Sequence, residues 1–294
     1  MQNYEYKIFT DEGGDFVNEM CDPKKFIRLP MQIEIDGDIL TVDENISQKD
    51  IDSFYDSIRS GVLPKTSQIN QYTFEQYFEK ELNSGKDVLY LALSSGVSNQ
   101  FETANKTAMQ LNNNYDNKVY CVDTMSATMG SSLITKRAIE NRDSGMSIED
   151  NFKDLNIFKG KINHWFTVND LFHLKSGGRI STTKAIIGSA LSVKPILIIN
   201  DLGKLELFQS VRGKKQALRV LAEKFNNNVE NEVDDVVITY VEDLDSANYV
   251  KDLINQTGKA KNIHTLPMSP IIATHTGIGA ITLGFIGKNR KEMK

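Results

Sequence analysis

Three short apolar runs in the first half of the chain end in hydroxyl or acid residues, and helix-period segments separate them. They are "YKIFTD", closing at Asp11, "DVLYLALSS" (87–95) and "KVYCVDT" (118–124). Between the last two, Phe101, Ala104, Ala108 and Leu111 recur at helical spacing. Continuous apolar strands alternating with helices predict a parallel sheet covered on both faces. Ligands of such sheets gather beyond the carboxyl ends of the strands. Thr10–Asp11, Ser94–Ser95 and Asp123–Thr124 hold those positions.

A further helix is expected after Asp123, its small residues permitting close packing, and another after Ser147 as N-cap. The second half reads differently. Strands are expected at "HWFTVN" (164–169), "VKPILIIN" (193–200), "KLELFQSV" (204–211), "DDVVITYV" (234–241) and "NIHTLPM" (262–268). The turn "NDLGK" joins two of them as a hairpin. The fold class is therefore α/β with two domains. The N-terminal one has a mostly parallel sheet flanked by helices, and the C-terminal one has a mixed or antiparallel sheet. The boundary is placed near residue 160, giving 1–160 and 161–294.

The formal net charge of −5 provides no footprint for general nucleic-acid binding. Two cysteines, Cys21 and Cys121, are too few for a disulfide framework, and no CxxC occurs. The N-terminus lacks the order of a signal peptide, and no apolar run approaches bilayer length. A soluble, cytoplasmic protein is expected.

Four stretches concentrate small, hydroxylic or glycine residues: "PKTSQIN" (64–70), "LSSGVSNQ" (93–100), "LKSGGRIS" (174–181) and "IIATHTGIG" (271–279). In the second, Ser94, Ser95 and Ser98 precede a helix, which suits an anion held by neutral donors; Ser95 or Ser98 serves equally as a plain cap. In the first, Thr66 and Ser67 follow Pro64 in a loop, with Thr73 as cap of the next helix. Arg179 beside two glycines suits an anion or a partner protein, or is an ordinary surface residue. The histidine stretch fails as a dinucleotide fingerprint, because Thr282 stands where the third glycine belongs. No nucleophile elbow, P-loop or metal spacing is present, so no cofactor or metal is expected. His164 and His264 read as satisfied core or edge histidines.

Taken in order, these stretches resemble the DegV family of fatty-acid-binding proteins. "IFTDEGGDF", "KTSQ", "LSSGVS", "VDTMSATMG", "LKSGGRIS", "LSVKPIL", "VRGKKQAL" and "SPIIATHTGIGAITLGF" carry the resemblance across nearly the whole chain. It implies two α/β domains with a long-chain fatty acid between them. It also implies the acyl-carrying subunit of a bacterial fatty acid kinase, whose separate ATP-binding catalytic subunit phosphorylates the carboxyl. Thr66, Ser95 and His275, then Ser67, Ser94 and Thr276, match the family's carboxylate contacts. His275 would add a donor or a positive charge, depending on its protonation. Arg179 and Arg212 match positions that meet the kinase, with Lys214 and Lys215 extending the patch. Transient membrane contact for lipid exchange is compatible with this role.

The chain departs from the pattern at Glu12, Ile69, Asn70, Asn99, Gln100, Tyr240, Ser269, Ala273 and Ile278. A stand-alone hydrolase acting on acyl esters through Ser95 or Ser98 with His275 is the alternative reading, and a ligand-free scaffold is a third.

Overall fold

A computed structural model describes residues 6–169, 171–180 and 192–292. Ser181, the last residue of "LKSGGRIS", lies outside the described residues. The chain opens with β1 (Tyr6–Asp11), β2 (Ile27–Leu29), β3 (Met31–Ile35) and β4 (Asp38–Val42). Then come α1 (Gln48–Arg59), β5 (Lys65–Ser67), α2 (Gln71–Asn83), β6 (Asp87–Ala92), α3 (Gln100–Asn112) and β7 (Val119–Asp123). Two helices, α4 (Met129–Asp143) and α5 (Ile148–Phe158), lead to β8 (Ile162–Thr167) and α6 (Phe172–Ser176). The remainder is β9 (Val193–Ile199), β10 (Leu205–Arg212), α7 (Lys214–Asn228), β11 (Val233–Tyr240), α8 (Leu244–Asn255), β12 (Ala260–Pro267), α9 (Pro270–Thr276) and β13 (Ile281–Ile286).

The expected parallel sheet is present, in the order β2-β1-β6-β7, with every pairing parallel. A small antiparallel sheet, β4-β3-β5, sits beside it. The second half forms the sheet β10-β9-β8-β13-β11-β12, which is mixed because only β11 and β12 run parallel. Every described strand before residue 160 belongs to the first two sheets, and every one after it to the third.

The apolar clusters nevertheless cross that point. Helix α4 is buried almost all round, and its Leu133 and Ile134 share one cluster with Leu89 and Val122 of the parallel sheet and Val237 of the mixed sheet. Its small residues do permit close packing: a Cβ on Gly130 would lie 2.0 Å from His164 Nε2.

Helix starts follow local chemistry. Ser147 caps α5 as expected, accepting from the Asp150 amide. The cap of α2 is Asn70, not Thr73; the Asn70 side chain accepts from the Thr73 amide at 2.9 Å. Neither Ser95 nor Ser98 is the N-cap residue of α3; Asn99 holds that place, while Ser98 Oγ accepts from the Gln100 amide at 3.2 Å. The turn after β9 closes as a hairpin, with Gly203 at φ +72°. The histidine stretch is more regular than its composition suggests. Pro270–Thr276 is a helix, capped by Ser269 and stopped at Gly277, whose φ is +73°. Among the described residues, no helix is long and apolar enough to cross a membrane.

Candidate functional site

Asp11 ties the carboxyl end of β1 to that of β6. This buried carboxyl accepts from Tyr90 Oη at 2.7 Å, the Leu93 amide at 3.0 Å and the Gly13 amide at 3.0 Å. Burial raises its pKa, and these bonds oppose the rise. Asp11 thus holds the start of the loop after β6, where the candidate serines lie.

The two serines are used differently. Ser94 is fully buried; its Oγ donates to the Gly203 carbonyl at 2.8 Å and accepts from the Gly96 amide at 3.2 Å. It fastens the loop to the β9–β10 hairpin and does not face the cavity described below. Ser95 does face it. Its Oγ donates to Asp123 Oδ2 at 2.6 Å, and its amide donates to Asp123 Oδ1 at 3.1 Å. Asp123, at the end of β7, therefore supports Ser95 from behind. The strand-end position marks it in the sequence, although no motif assigns it a role.

A cavity of about 460 Å³ opens between the loop after β6, β5, α9 and the mixed sheet. Its apolar lining includes Met31, Leu93, Phe166, Ile199, Leu205 and Ile271; its polar lining includes Thr66, Ser95, Arg179 and His275. That size and mixture suit an organic ligand with one polar end. Thr276 also lines it, but its hydroxyl bonds back to Ile272 O at 3.2 Å. Ser67 does not line it. Successive side chains of β5 point to opposite faces, and Ser67 faces a separate pocket of about 110 Å³ beside Asn70 and Thr73.

His275 Nε2 lies 2.8 Å from Thr66 Oγ1, joining two stretches 209 residues apart. Burial, then the nearby Arg179 charge and His173, push the His275 pKa down to about 4. At neutral pH it contributes a neutral ring, which decides between the two roles the sequence offers. The glycines after it allow close packing. A Cβ on Gly277 would lie 2.5 Å from the His173 ring, and one on Gly279 2.2 Å from Asn169 Nδ2.

Of the four basic residues, Arg179 stands apart in sequence from Arg212, Lys214 and Lys215, which sit at the junction of β10 and α7. Arg179 lines the cavity, half-buried, with Nε donating to Val97 O at 3.3 Å and Nη1 to Gly177 O. Arg212 is exposed at the end of β10. Lys214 pairs with Asp243 at the start of α8, and Lys215 lies over the Tyr249 ring at 5.6 Å. His264 is a satisfied edge histidine, 2.8 Å from Asp235. His164 is not satisfied. It is buried at the cavity wall, and among the described residues neither ring nitrogen has a partner at hydrogen-bond geometry. Burial and Arg290 hold its pKa well below the usual value, with the Ile162 backbone opposing weakly.

Four of the nine departures from the family pattern meet in two pairs. Gln100 Oε1 accepts from the Ile69 amide at 3.3 Å, and Gln100 Nε2 donates to Tyr90 Oη at 3.1 Å. Ser269 Oγ donates to Glu12 O at 2.6 Å, and the Ser269 amide donates to Asp15 Oδ1 at 2.6 Å. Burial raises Glu12 to about 7, against Arg28, and raises Asp15 to about 7. A carboxyl with a raised folded pKa keeps its proton in the native state after the unfolded chain has lost it. Its contribution is therefore full below about pH 4 and is lost as pH rises to about 7. Asp15→Asn removes that loss while keeping an acceptor for Ser269. The variant is expected to gain on the order of 3 kcal/mol relative to wild type between pH 4 and pH 8. Urea melts at the two pH values measure this; an equal difference at both would contradict it.

Comparison with known proteins identifies the family and matches the fold. A family model described as "Uncharacterised protein, DegV family" matches residues 5–288. A DegV domain-containing protein of Clostridium perfringens is 32% identical over 290 residues, covering 97% of this chain and 99% of that protein. The crystal structure of a fatty acid binding DegV family protein from Streptococcus agalactiae superposes with a TM-score of 0.87 at 27% identity, covering 97% of this chain and all of that one. The fatty acid kinase B3 protein of Streptococcus pneumoniae, solved with linoleic acid, shares the fold at a TM-score of 0.83 and 19% identity, over 96% and 99% of the two chains. The family match and the similarity run over nearly the whole chain, and the chain belongs to the DegV family.

Proposed function

We propose that this protein binds a long-chain fatty acid in the cytoplasm and presents its carboxyl to a separate ATP-dependent kinase that forms the acyl phosphate. The acyl chain would lie between the segments 1–160 and 161–294. One observation carries the reading: a cavity of about 460 Å³, with apolar walls on one part and polar side chains on another, contains the Thr66–His275 pair and Ser95. Burying an acyl tail is favourable by about 0.8 kcal/mol per methylene. The carboxyl then needs hydrogen-bond partners inside the cavity. Thr66, Ser95 and His275 supply them; Thr276 is a lesser candidate, while Ser67 and Ser94 point elsewhere. The fatty acid binding protein of Streptococcus agalactiae, at 27% identity, supports the ligand class. The kinase half rests on the motif resemblance, with exposed Arg212 and Lys215 as the accessible part of the basic patch and Arg179 at the cavity.

The hydrolase reading lacks its central contact. Ser95 donates to Asp123, His275 pairs with Thr66, and no Ser–His hydrogen bond occurs among the described residues. Lipid extraction and mass spectrometry of protein purified under native conditions test the proposal. Bound fatty acid is expected, with retention of added palmitate or oleate weakened about tenfold or more in His275→Ala. Consistently empty protein that refuses both acids would refute it.

A further inference from the structure

Ser95, which lines the cavity, is held by Asp123. Asp123 Oδ1 accepts two amides, from Ser95 and Met125, each at 3.1 Å; Oδ2 accepts the Ser95 hydroxyl at 2.6 Å. All three neighbours are donors, so Asp123 acts here as an acceptor only. A serine hydroxyl carries one hydrogen, and that hydrogen is directed to Asp123. Ser95 therefore offers the cavity lone pairs and no proton. A ligand oxygen in contact with Ser95 Oγ must carry a hydrogen of its own.

Resting on the fatty-acid reading above, we propose that the site takes the acyl carboxyl as the neutral acid, with its O–H donated to Ser95 and Asp123 as the positioning residue that fixes this polarity. The second carboxyl oxygen, a carbonyl, is the acceptor for the Thr66–His275 pair. Charged and titratable groups act from both sides. Behind Asp123, Lys159 Nζ donates to its backbone carbonyl at 2.8 Å, and Arg290 lies close enough to interact with its charge, with Asp201 acting on Arg290 as well. On the cavity side stand Arg179, His275 and His173. His275 is neutral, while the Arg179 guanidinium favours a ligand carboxylate. Opposing Arg179 are the apolar residues of the cavity wall, such as Leu93, Phe166 and Ile271, and the Ser95 lone pairs, both of which penalise the anion.

The geometry also defines the test. In Asp123→Asn the side-chain oxygen must stay toward the Ser95 and Met125 amides, because the –NH₂ group cannot accept from them. The –NH₂ then faces Ser95 Oγ and donates to it, and the Ser95 hydrogen turns toward the cavity. The polarity of the contact reverses with almost no change of shape.

The probe is palmitate labelled with ¹³C at the carboxyl carbon, bound to the full chain and titrated by NMR. In wild type the bound signal is expected to keep the shift of the protonated acid at pH 7. In Asp123→Asn its midpoint is expected to fall by at least one pH unit. Ser95→Ala, which removes the acceptor, is expected to move the midpoint the same way and serves if the Asn variant does not fold. A wild-type signal already at the carboxylate shift at pH 7 overturns the inference and leaves fatty-acid binding intact. So does a midpoint that neither substitution changes. Absence of any bound signal overturns the fatty-acid reading, and the inference with it.

Discussion

Gly96→Ala is expected to destabilise the protein by about 3 kcal/mol and to empty its cavity. A Cβ at this position would lie 2.2 Å from the Gly203 carbonyl oxygen, 2.3 Å from its carbon and 2.7 Å from the Lys204 nitrogen. These are backbone atoms of a tight turn, so no side-chain rotation relieves the clash. The hairpin must move off the loop after β6, breaking the Ser94–Gly203 bond and displacing the neighbouring Ser95. Both walls of the cavity are affected, because Leu93 and Val97 line it on one side and Ile199 and Leu205 on the other. Urea unfolding and retention of added fatty acid, measured on the same preparation, check this. Wild-type values in both would show that the two segments are not tightly apposed.

Asp11→Ala is expected to have a larger effect still, on the order of 4 kcal/mol or more. It strands three buried donors at once: Tyr90 Oη, the Leu93 amide and the Gly13 amide. Each orphaned group costs about 1–3 kcal/mol. Such a loss consumes much of the stability of an ordinary domain, about 5–15 kcal/mol. Asp11→Asn retains one acceptor oxygen and should lose distinctly less. Chemical denaturation of the pair at one pH separates the two, and equal losses would place the effect in the removed charge. The aromatic ring of Tyr90 packs against Phe74 and Phe78, so loosening its hydroxyl also reaches the core between α2 and β6.

The parallel sheet is legible in the sequence because a strand buried on both faces must be continuously apolar, and few other structures tolerate such a run. The hairpin after β9 is legible because Gly203 meets a backbone demand that most residues resist. Helix α9 is not. Seven residues are too few to display a helical period, and threonines around a histidine are common in loops. The choice between Ser94 and Ser95 is equally hidden. Adjacent hydroxyls look alike in one dimension, and only the approach of Gly203, more than a hundred residues away, commits Ser94 to structure. The role of Arg179 divides for a similar reason: its backbone partners, Val97 and Gly177, come from two stretches that meet only in the folded chain. No motif assigns Asp123 a role, because that role lies in its hydrogen bonds with Ser95, 28 residues away.

Helix α4 has consequences for how the protein is made. Its Leu133 and Ile134 are covered on one side by the parallel sheet and on the other by the mixed sheet. In chain order, β7 completes the first sheet just before α4, but the second sheet begins only at β8. While the chain is being synthesised, the helix has one finished neighbour and a bare apolar flank awaiting strands not yet translated. That interval exposes the nascent chain to aggregation and to capture by chaperones. It closes only when β11 and β13 arrive to cover the flank.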